Sequence, residues 1–375
     1  MKSIPFINLD AQRLNLNGAI EAAIQKVIHH GQFIMGPEVR EFEIALEKYT
    51  GAHYAISCAN GTDALSLALM AMDIQPNDII FVPAFTFAAS AEAVALLGAV
   101  PYFVDVDEKS FLLDQTSLKR SILDAKTRGF RPRGIIAVDL FGSVPDYETI
   151  QTIAKENNLF VIADAAQSIG GARGSKQVGT MADITTTSFF PSKPLGAYGD
   201  GGAVLTDNAE IAESIKSLRI HGKGKNKYDN IRIGMNSRLD TLQASILIEK
   251  IQILSVEILA RQKIADYYST RLPLALTRQA IPTCVRSAWA QYTLCCKNRN
   301  RIRDHLDQKG IPTAVYYPTP LNKLQAYKHF PMDSAGLSTS EKLSSQVFSL
   351  PMHPYLAEAD QNNICAAIEE TFPYQ

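Results

Sequence analysis

Apolar residues recur three and four positions apart at the start of the chain, and in short blocks further on. Ile20, Ala23, Ile24, Val27 and Ile28 share one face of a helix predicted over about residues 18–30, which Gly31 ends. The turn Gly36-Pro37 opens a second helix, to about residue 50, with Val39, Phe42, Leu46 and Tyr49 inward. Residues 1–15 show no such period and are predicted to form an extended arm. From Tyr54 onward, strand signals at about 54–59, 79–82, 100–106, 134–140 and 159–163 alternate with helical signals at 63–72, 88–97, 115–125 and 147–157. The run Leu159-Phe160-Val161-Ile162-Ala163 is apolar throughout, the mark of a strand buried on both faces, and it stops at Asp164. Two more strands are predicted near 184–189 and 202–206, then a helix over about 209–218.

Strand–helix alternation of this kind predicts an α/β fold with a mainly parallel sheet covered by helices. A long helix follows, from just beyond Asp240 to about residue 272. The shorter signals after it, a strand near 290–296 and helices near 301–309 and at the C-terminus, predict a smaller α/β domain. The division is placed at residues 1–255 for the large domain and 256–375 for the small one. In such folds ligands sit outside the carboxyl ends of the strands. Gly61-Thr62, Asp164 and Ser188 all fall at or just after predicted strand ends.

Composition narrows the classes. A chain of 375 residues suits two domains, and 46% hydrophobic with 20% charged residues suits a globular protein. A net charge of -1 argues against a broad nucleic-acid-binding face. The N-terminus lacks the apolar core of a signal peptide, and no apolar run is long enough to span a bilayer, so a cytoplasmic enzyme without a membrane partner is expected. The five cysteines are odd in number and lack C-x-x-C spacing, so neither a disulfide framework nor a metal site is expected.

The candidate chemistry gathers around residues 187–203. Lys193 lies between Pro191 and Pro194, neither of which has a backbone donor, so it belongs to a loop. Alone it reads as a solvated charge. Asp164 alone reads as a helix N-cap, with Gln167 closing a capping box. Gly61-Thr62 can be a simple cap or an anion site at a helix N-terminus. Phe85 and Phe87 can be core aromatics or a stacking surface for a flat ring. Taken together, a phosphate cradle, a carboxylate at a strand end and a loop lysine meet the needs of pyridoxal 5'-phosphate. The carboxylate would keep the ring nitrogen protonated, and the lysine would form a Schiff base with the aldehyde.

The motifs Ala59-Asn60-Gly61-Thr62-Asp63-Ala64-Leu65, Pro83-Ala84-Phe85-Thr86-Phe87, Asp164-Ala165-Ala166-Gln167-Ser168, Ser188-Phe189-Phe190-Pro191-Ser192-Lys193, Gly199-Asp200-Gly201-Gly202 and Asn236-Ser237-Arg238-Leu239-Asp240 follow one another in this order. The set resembles the DegT/DnrJ/StrS family of nucleotide-sugar aminotransferases, over essentially the whole chain. The resemblance implies the aspartate-aminotransferase-like fold (fold type I of pyridoxal-phosphate enzymes). It makes Lys193 the Schiff-base lysine and proton shuttle, Asp164 the partner of the ring nitrogen, and Gln167 the neighbour of the ring hydroxyl. Gly61, Thr62 and Ser188 would cradle the phosphate and Phe87 would stack on the ring. Asn236 would reach the cofactor from a neighbouring subunit, which implies a homodimer with shared active sites, and Arg238 would enter the same site. Glutamate would be the amino donor and a nucleotide-linked keto-sugar the acceptor.

Runs beginning at Asn236, Tyr317 and Ser349 look most like enzymes that aminate UDP-2-acetamido-2-deoxy-3-oxo-glucuronate for surface polysaccharide such as O-antigen. An acidic sugar would suit Arg238, with Tyr316 and Tyr317 in the substrate site; Tyr316 departs from the histidine common at that position. The loop with Arg219, His221, Lys223, Lys225 and Lys227 can meet a pyrophosphate or be solvated. Another UDP-, dTDP- or GDP-linked 3- or 4-keto-sugar is the alternative substrate. A sugar dehydratase of this fold would lack Lys193. The first strand–helix turn has no G-x-G-x-x-G, which argues against an NAD oxidoreductase, and a non-enzymatic α/β binding or regulatory protein would not need both Lys193 and Asp164.

Overall fold

The alternating signals resolve into one seven-stranded sheet in a computed structural model that describes residues 4–226 and 228–372. Its strands are drawn from β1 (Tyr54–Cys58), β2 (Asp78–Pro83), β3 (Val100–Val104), β4 (Arg131–Val138) and β5 (Phe160–Asp164). A short ribbon, β6 (Ala172–Arg173) and β7 (Lys176–Gln177), intervenes before β8 (Ile184–Ser188) and β9 (Gly202–Thr206). The sheet order is β1-β9-β8-β5-β4-β2-β3. Strands β8, β5, β4, β2 and β3 run parallel, and β9 is antiparallel to both of its neighbours. The mainly parallel α/β sheet expected from the sequence is therefore borne out.

Successive residues of one strand feed opposite layers. Ile79 and Phe81 enter a core with Phe42, Leu118, Ile150 and Leu247, while Ile80 and Val82 enter a second core with Leu65, Val94 and Ile215. Each such fully buried side chain contributes roughly 1.5–3 kcal/mol of transfer free energy. Helices Gly61–Ala71, Ala89–Leu96 and Ala209–Leu218 cover the second face. Helices Pro37–Thr50, Gln115–Thr127 and Tyr147–Glu156 cover the first.

The helix Thr241–Arg271 joins two bodies. Its Leu247, Ile251, Leu254 and Ile258 pack into the first core, whereas Ile264, Ala265 and Tyr268 pack into a third. That third core lies under an antiparallel sheet of β10 (Thr277–Arg278), β12 (Tyr292–Cys295) and β13 (Val347–Leu350); β11 (Val285–Arg286) instead pairs with β6. The division drawn between residues 255 and 256 falls inside this one helix, near the point where its packing changes core.

The N-terminal arm corrects an expectation. Residues 1–3 lie outside the described residues, but Leu9–Asn15 is a helix, capped where the Asn8 side chain accepts from the Ala11 N–H. Its anchor is polar: the buried Gln12 amide donates to both oxygens of Glu257 at 2.9 Å. A helix this short, held by such a contact, leaves no apolar period to read. Among the described residues no helix is long and apolar enough to cross a membrane.

Candidate active site

The carboxyl ends of β4, β5 and β8 open into a cavity of about 480 Å³, which Gln291, Tyr316 and Tyr317 from the last third of the chain also line. Gly61, Thr62, Phe87, Asp164, Gln167, Ser188, Lys193, Tyr316 and Tyr317 all line it. Stretches far apart in sequence therefore meet where sheet topology places ligands.

Asp164 forms the floor. The residues after it make turns and no helix, so the N-cap reading does not hold. One carboxylate oxygen accepts from Ser90 Oγ at 2.8 Å and the other from the Ala166 N–H at 3.3 Å. Burial raises its pKa above the usual carboxylate range, and Ser90, Ala166 and the charge of Lys193 offset that only in part. Gln167 does not close a capping box either. Its Oε1 accepts from the Phe141 N–H at 2.6 Å, which leaves its amide nitrogen to reach the Tyr317 hydroxyl at 3.4 Å.

Lys193 rides on a tight loop. The Ala197 N–H donates to Phe189 O at 2.7 Å and closes the neck, and the Lys193 N–H donates to Phe190 O at 2.9 Å. Pro191 and Pro194 lack N–H groups and ask for no partners there. Burial lowers the pKa of the Lys193 amine, while Asp164 pulls it the other way. The amine is thus readier to lose its proton than a surface lysine.

The opposite wall is the N-terminus of helix Gly61–Ala71, whose Asn60 side chain accepts from the Asp63 N–H at 2.8 Å. The first turn of an α-helix has no internal acceptor for its N–H groups, so this end attracts anions. Gly61 is required for the close approach: a Cβ there would lie 2.7 Å from Ser188 Cβ. Phe87 leaves 56% of its surface uncovered, with its ring 6.0 Å from that of Tyr317. Phe85 is buried edge-on against Phe141 and is a core aromatic.

Asn236 and Arg238 do not line this protomer's cavity; Asn236 is exposed and Arg238 half-buried. The basic loop divides. Arg219 turns inward, and its guanidinium donates to Glu43 and to the Ser57 carbonyl, both at 2.6 Å. It is a buried structural ion pair and not a pyrophosphate contact, which corrects that half of the expectation. His221, Lys223 and Lys225 lie away from the cavity wall, and Lys227 lies outside the described residues.

Two features escaped the sequence reading. Gln291, just before β12, lines the cavity with a buried Oε1 that has no hydrogen-bond partner among the described residues. Asp139, just past β4, sits fully buried beneath Asp164, and accepts from Ser168 Oγ and the Tyr147 hydroxyl, each at 2.5 Å. A charge ending an apolar run was the signal that marked Asp164, and it would have marked Asp139 too.

Burial pushes the Asp139 carboxyl up to about 7, against the two hydroxyl donors and with the help of Asp164. A raised native pKa means that the folded protein keeps a proton the unfolded chain releases. Stability from this group is fully present near pH 4 and is lost as pH rises towards 7, by at most about 1.4 kcal/mol per pH unit. Asp139→Asn should flatten that slope. Denaturant melts of wild type and variant at pH 4.5 and 7.5 check this, and parallel pH profiles would refute it.

A buried carboxylate, a helix N-terminus, an uncovered aromatic ring and a desolvated amine thus face one volume. The profile of the DegT/DnrJ/EryC1/StrS aminotransferase family matches residues 15–369. The chain is 44% identical to the UDP-2-acetamido-2-deoxy-3-oxo-D-glucuronate aminotransferase of Pseudomonas aeruginosa, over 97% of this chain and 99% of that one. It is 48% identical to a DegT DnrJ EryC1 StrS aminotransferase from Brucella abortus, covering 98% and 99% of the two chains with a TM-score of 0.97. S. venezuelae DesV, solved in complex with a ketimine intermediate, is 31% identical over 100% of both chains with a TM-score of 0.94. The site and the likeness agree: the chain belongs to the DegT/DnrJ/EryC1/StrS aminotransferase family and is a pyridoxal-phosphate-dependent aminotransferase of fold type I.

Proposed function

We propose that this enzyme moves the amino group of glutamate onto a nucleotide-linked 3-keto-sugar, UDP-2-acetamido-2-deoxy-3-oxo-glucuronate, for a cytoplasmic step in surface polysaccharide synthesis. The observation that carries the reading is the convergence of Lys193, Asp164 and the Gly61–Thr62–Ser188 wall on one cavity. These residues fit pyridoxal phosphate. Asp164 is a buried carboxylate that needs a cation, and the protonated ring nitrogen is one. The helix N-terminus beside Ser188 suits a phosphate, and Phe87 offers its uncovered face to a flat ring.

When bound, the cofactor supplies a ring that takes up the electrons left when a carbon loses its proton. The chain's own residues do the rest. Asp164 would hold the ring nitrogen charged. Gln167, whose oxygen is fixed by the Phe141 amide, would have its nitrogen free to donate to the ring hydroxyl. Lys193 Nζ takes the α-proton of glutamate and later returns a proton to the sugar carbon, work for which a lowered pKa suits it. Tyr316, Tyr317 and Gln291 wall off water on the small-domain side and face the sugar. The Gln291 oxygen, short of a donor, would accept from the acetamido N–H or a hydroxyl.

Asn236 and Arg238 are read as contributions to the neighbouring protomer's site, in a homodimer. That neither lines this cavity supports that reading, as does the exposed apolar run Phe33-Ile34-Met35 close by in the fold, where the Thr241 N–H donates to Phe33 O. A panel of UDP-, dTDP- and GDP-linked keto-sugars with glutamate, read by product mass, tests the substrate. Amination of a neutral 4-keto-sugar in preference to the 3-keto-uronate would favour the alternative.

Arg238→Ala should lower kcat/KM for the uronate about a hundredfold, the loss of a bidentate charge-assisted contact, and for a neutral sugar only a few-fold. Equal losses would remove the carboxylate role. Mixing Arg238→Ala with Lys193→Ala chains should restore up to about a quarter of wild-type activity, since half the re-paired dimers carry one intact site. No restoration would place Arg238 in its own chain's site.

A further inference from the structure

A second lysine lies beneath the loop that carries Lys193. Lys250, on the helix Thr241–Arg271, is 1% exposed. Its Nζ donates to the Gly196 carbonyl at 2.7 Å and sits 4.1 Å from the centroid of the Tyr198 ring. No carboxylate forms an ion pair with it among the described residues. Glu257, two turns along the same helix, is engaged by Gln12 and Tyr355. Burial lowers the Lys250 pKa to about 8, and Glu257 opposes that only partly. An amine so placed is costly, and an apolar side chain of equal length would fill the same space without that cost. What the amine adds is its bond to the loop.

Gly196 is three residues beyond Lys193, where the loop folds back so tightly that a Cβ would lie 2.4 Å from Pro191 O. Two turns earlier on the same helix face, Gln243 Oε1 accepts from the Tyr198 N–H at 2.9 Å. The helix therefore holds the loop at two points, on either side of Ala197, whose N–H closes the neck.

We propose that Lys250 is a positioning residue for the transamination: by its bond to Gly196 it fixes the loop that presents the Lys193 amine to the cavity. The proposal rests on the reading of Lys193 as the catalytic lysine. Lys250 does not line the cavity and would act through the backbone of the loop. A misplacement of Lys193 by a fraction of an ångström would slow proton transfer with little effect on substrate binding.

Lys250→Met keeps the length and removes the donor. In protein stripped of cofactor, hydrogen exchange should quicken about tenfold or more in residues 189–199 and stay unchanged in β4 and β5. In the loaded enzyme, the pH midpoint of the visible absorption of the cofactor on Lys193 should move by about half a pH unit. There kcat should fall by about ten- to a hundredfold, with KM for the keto-sugar within about threefold. Exchange unchanged in the loop, or quickened equally throughout the sheet, overturns the proposal, as does an unmoved midpoint with full kcat. If the methionine variant does not fold, Lys250→Leu, which also removes the donor, takes its place in the exchange measurement. Quickening confined to the loop then supports the proposal, and no quickening there overturns it. Should Lys193→Ala keep its activity, the catalytic reading fails while the exchange result still reports on the loop.

Discussion

Lys193→Ala is expected to lower turnover about 10⁴-fold or more, because on the proposed reading one side chain would supply both the covalent attachment and the proton transfers. The geometry gives the reason. Its amine sits with Asp164 in the cavity that also holds the helix N-terminus and Phe87. Among the described residues no other lysine lines that wall, so no neighbour can take over. The fold should survive. A desolvated amine with a lowered pKa gives up little when removed, and the loop is held by Gly196, Ala197 and Tyr198 rather than by the lysine. The variant should still take up pyridoxal phosphate, but borohydride should fix the cofactor only to the wild-type chain. Single turnover with glutamate reads the rate. More than about one percent residual activity would mean that the reacting lysine is another.

Asp164→Asn carries the next largest effect. The amide matches the carboxylate in shape and can still accept from Ser90, but it cannot hold a positive ring nitrogen. A fixed charge facing a developing one in a dry site is worth about 3–4 kcal/mol, so kcat should drop roughly 10²–10³-fold. Cofactor affinity should also weaken, since the ion pair is lost. Burial raises the Asp164 pKa in the protein alone, so its ionised form is held at a cost that a bound cation relieves. The increase in melting temperature on adding pyridoxal phosphate should therefore be smaller in the variant than in the wild type. Equal increases, with kcat within a few-fold, would show that Asp164 does not face the ring nitrogen.

Much of the site was legible because its signals are local. Pro191, Pro194 and the glycines after them mark a loop wherever the chain goes. Asp164 stands out because a charge ends an apolar strand, and Gly61-Thr62 because a strand–helix turn exposes N–H groups. The order of these motifs was legible as well, and with it the family. Arg219 was misread for the opposite reason: it looks like one more loop cation, and its partner Glu43 is 176 residues away. The helix Leu9–Asn15 stayed hidden because its hold on the protein is Gln12 against Glu257, 245 residues distant. Lys250 reads as an ordinary solvated position of a long helix until the fold lays Gly196 across it.

The residue pattern alone set the α/β alternation, the parallel run of strands and the cluster of strand ends where chemistry would lie. Turn chemistry and side-chain period act within a few residues, so they can be read without a fold. Three-dimensional packing chose which charges answer one another: Asp139 under Asp164, Arg219 on Glu43, Lys250 on the loop of Lys193. A buried charge is governed by whatever surrounds it in a low-dielectric interior, and those surroundings come from segments that the chain brings together only when it folds.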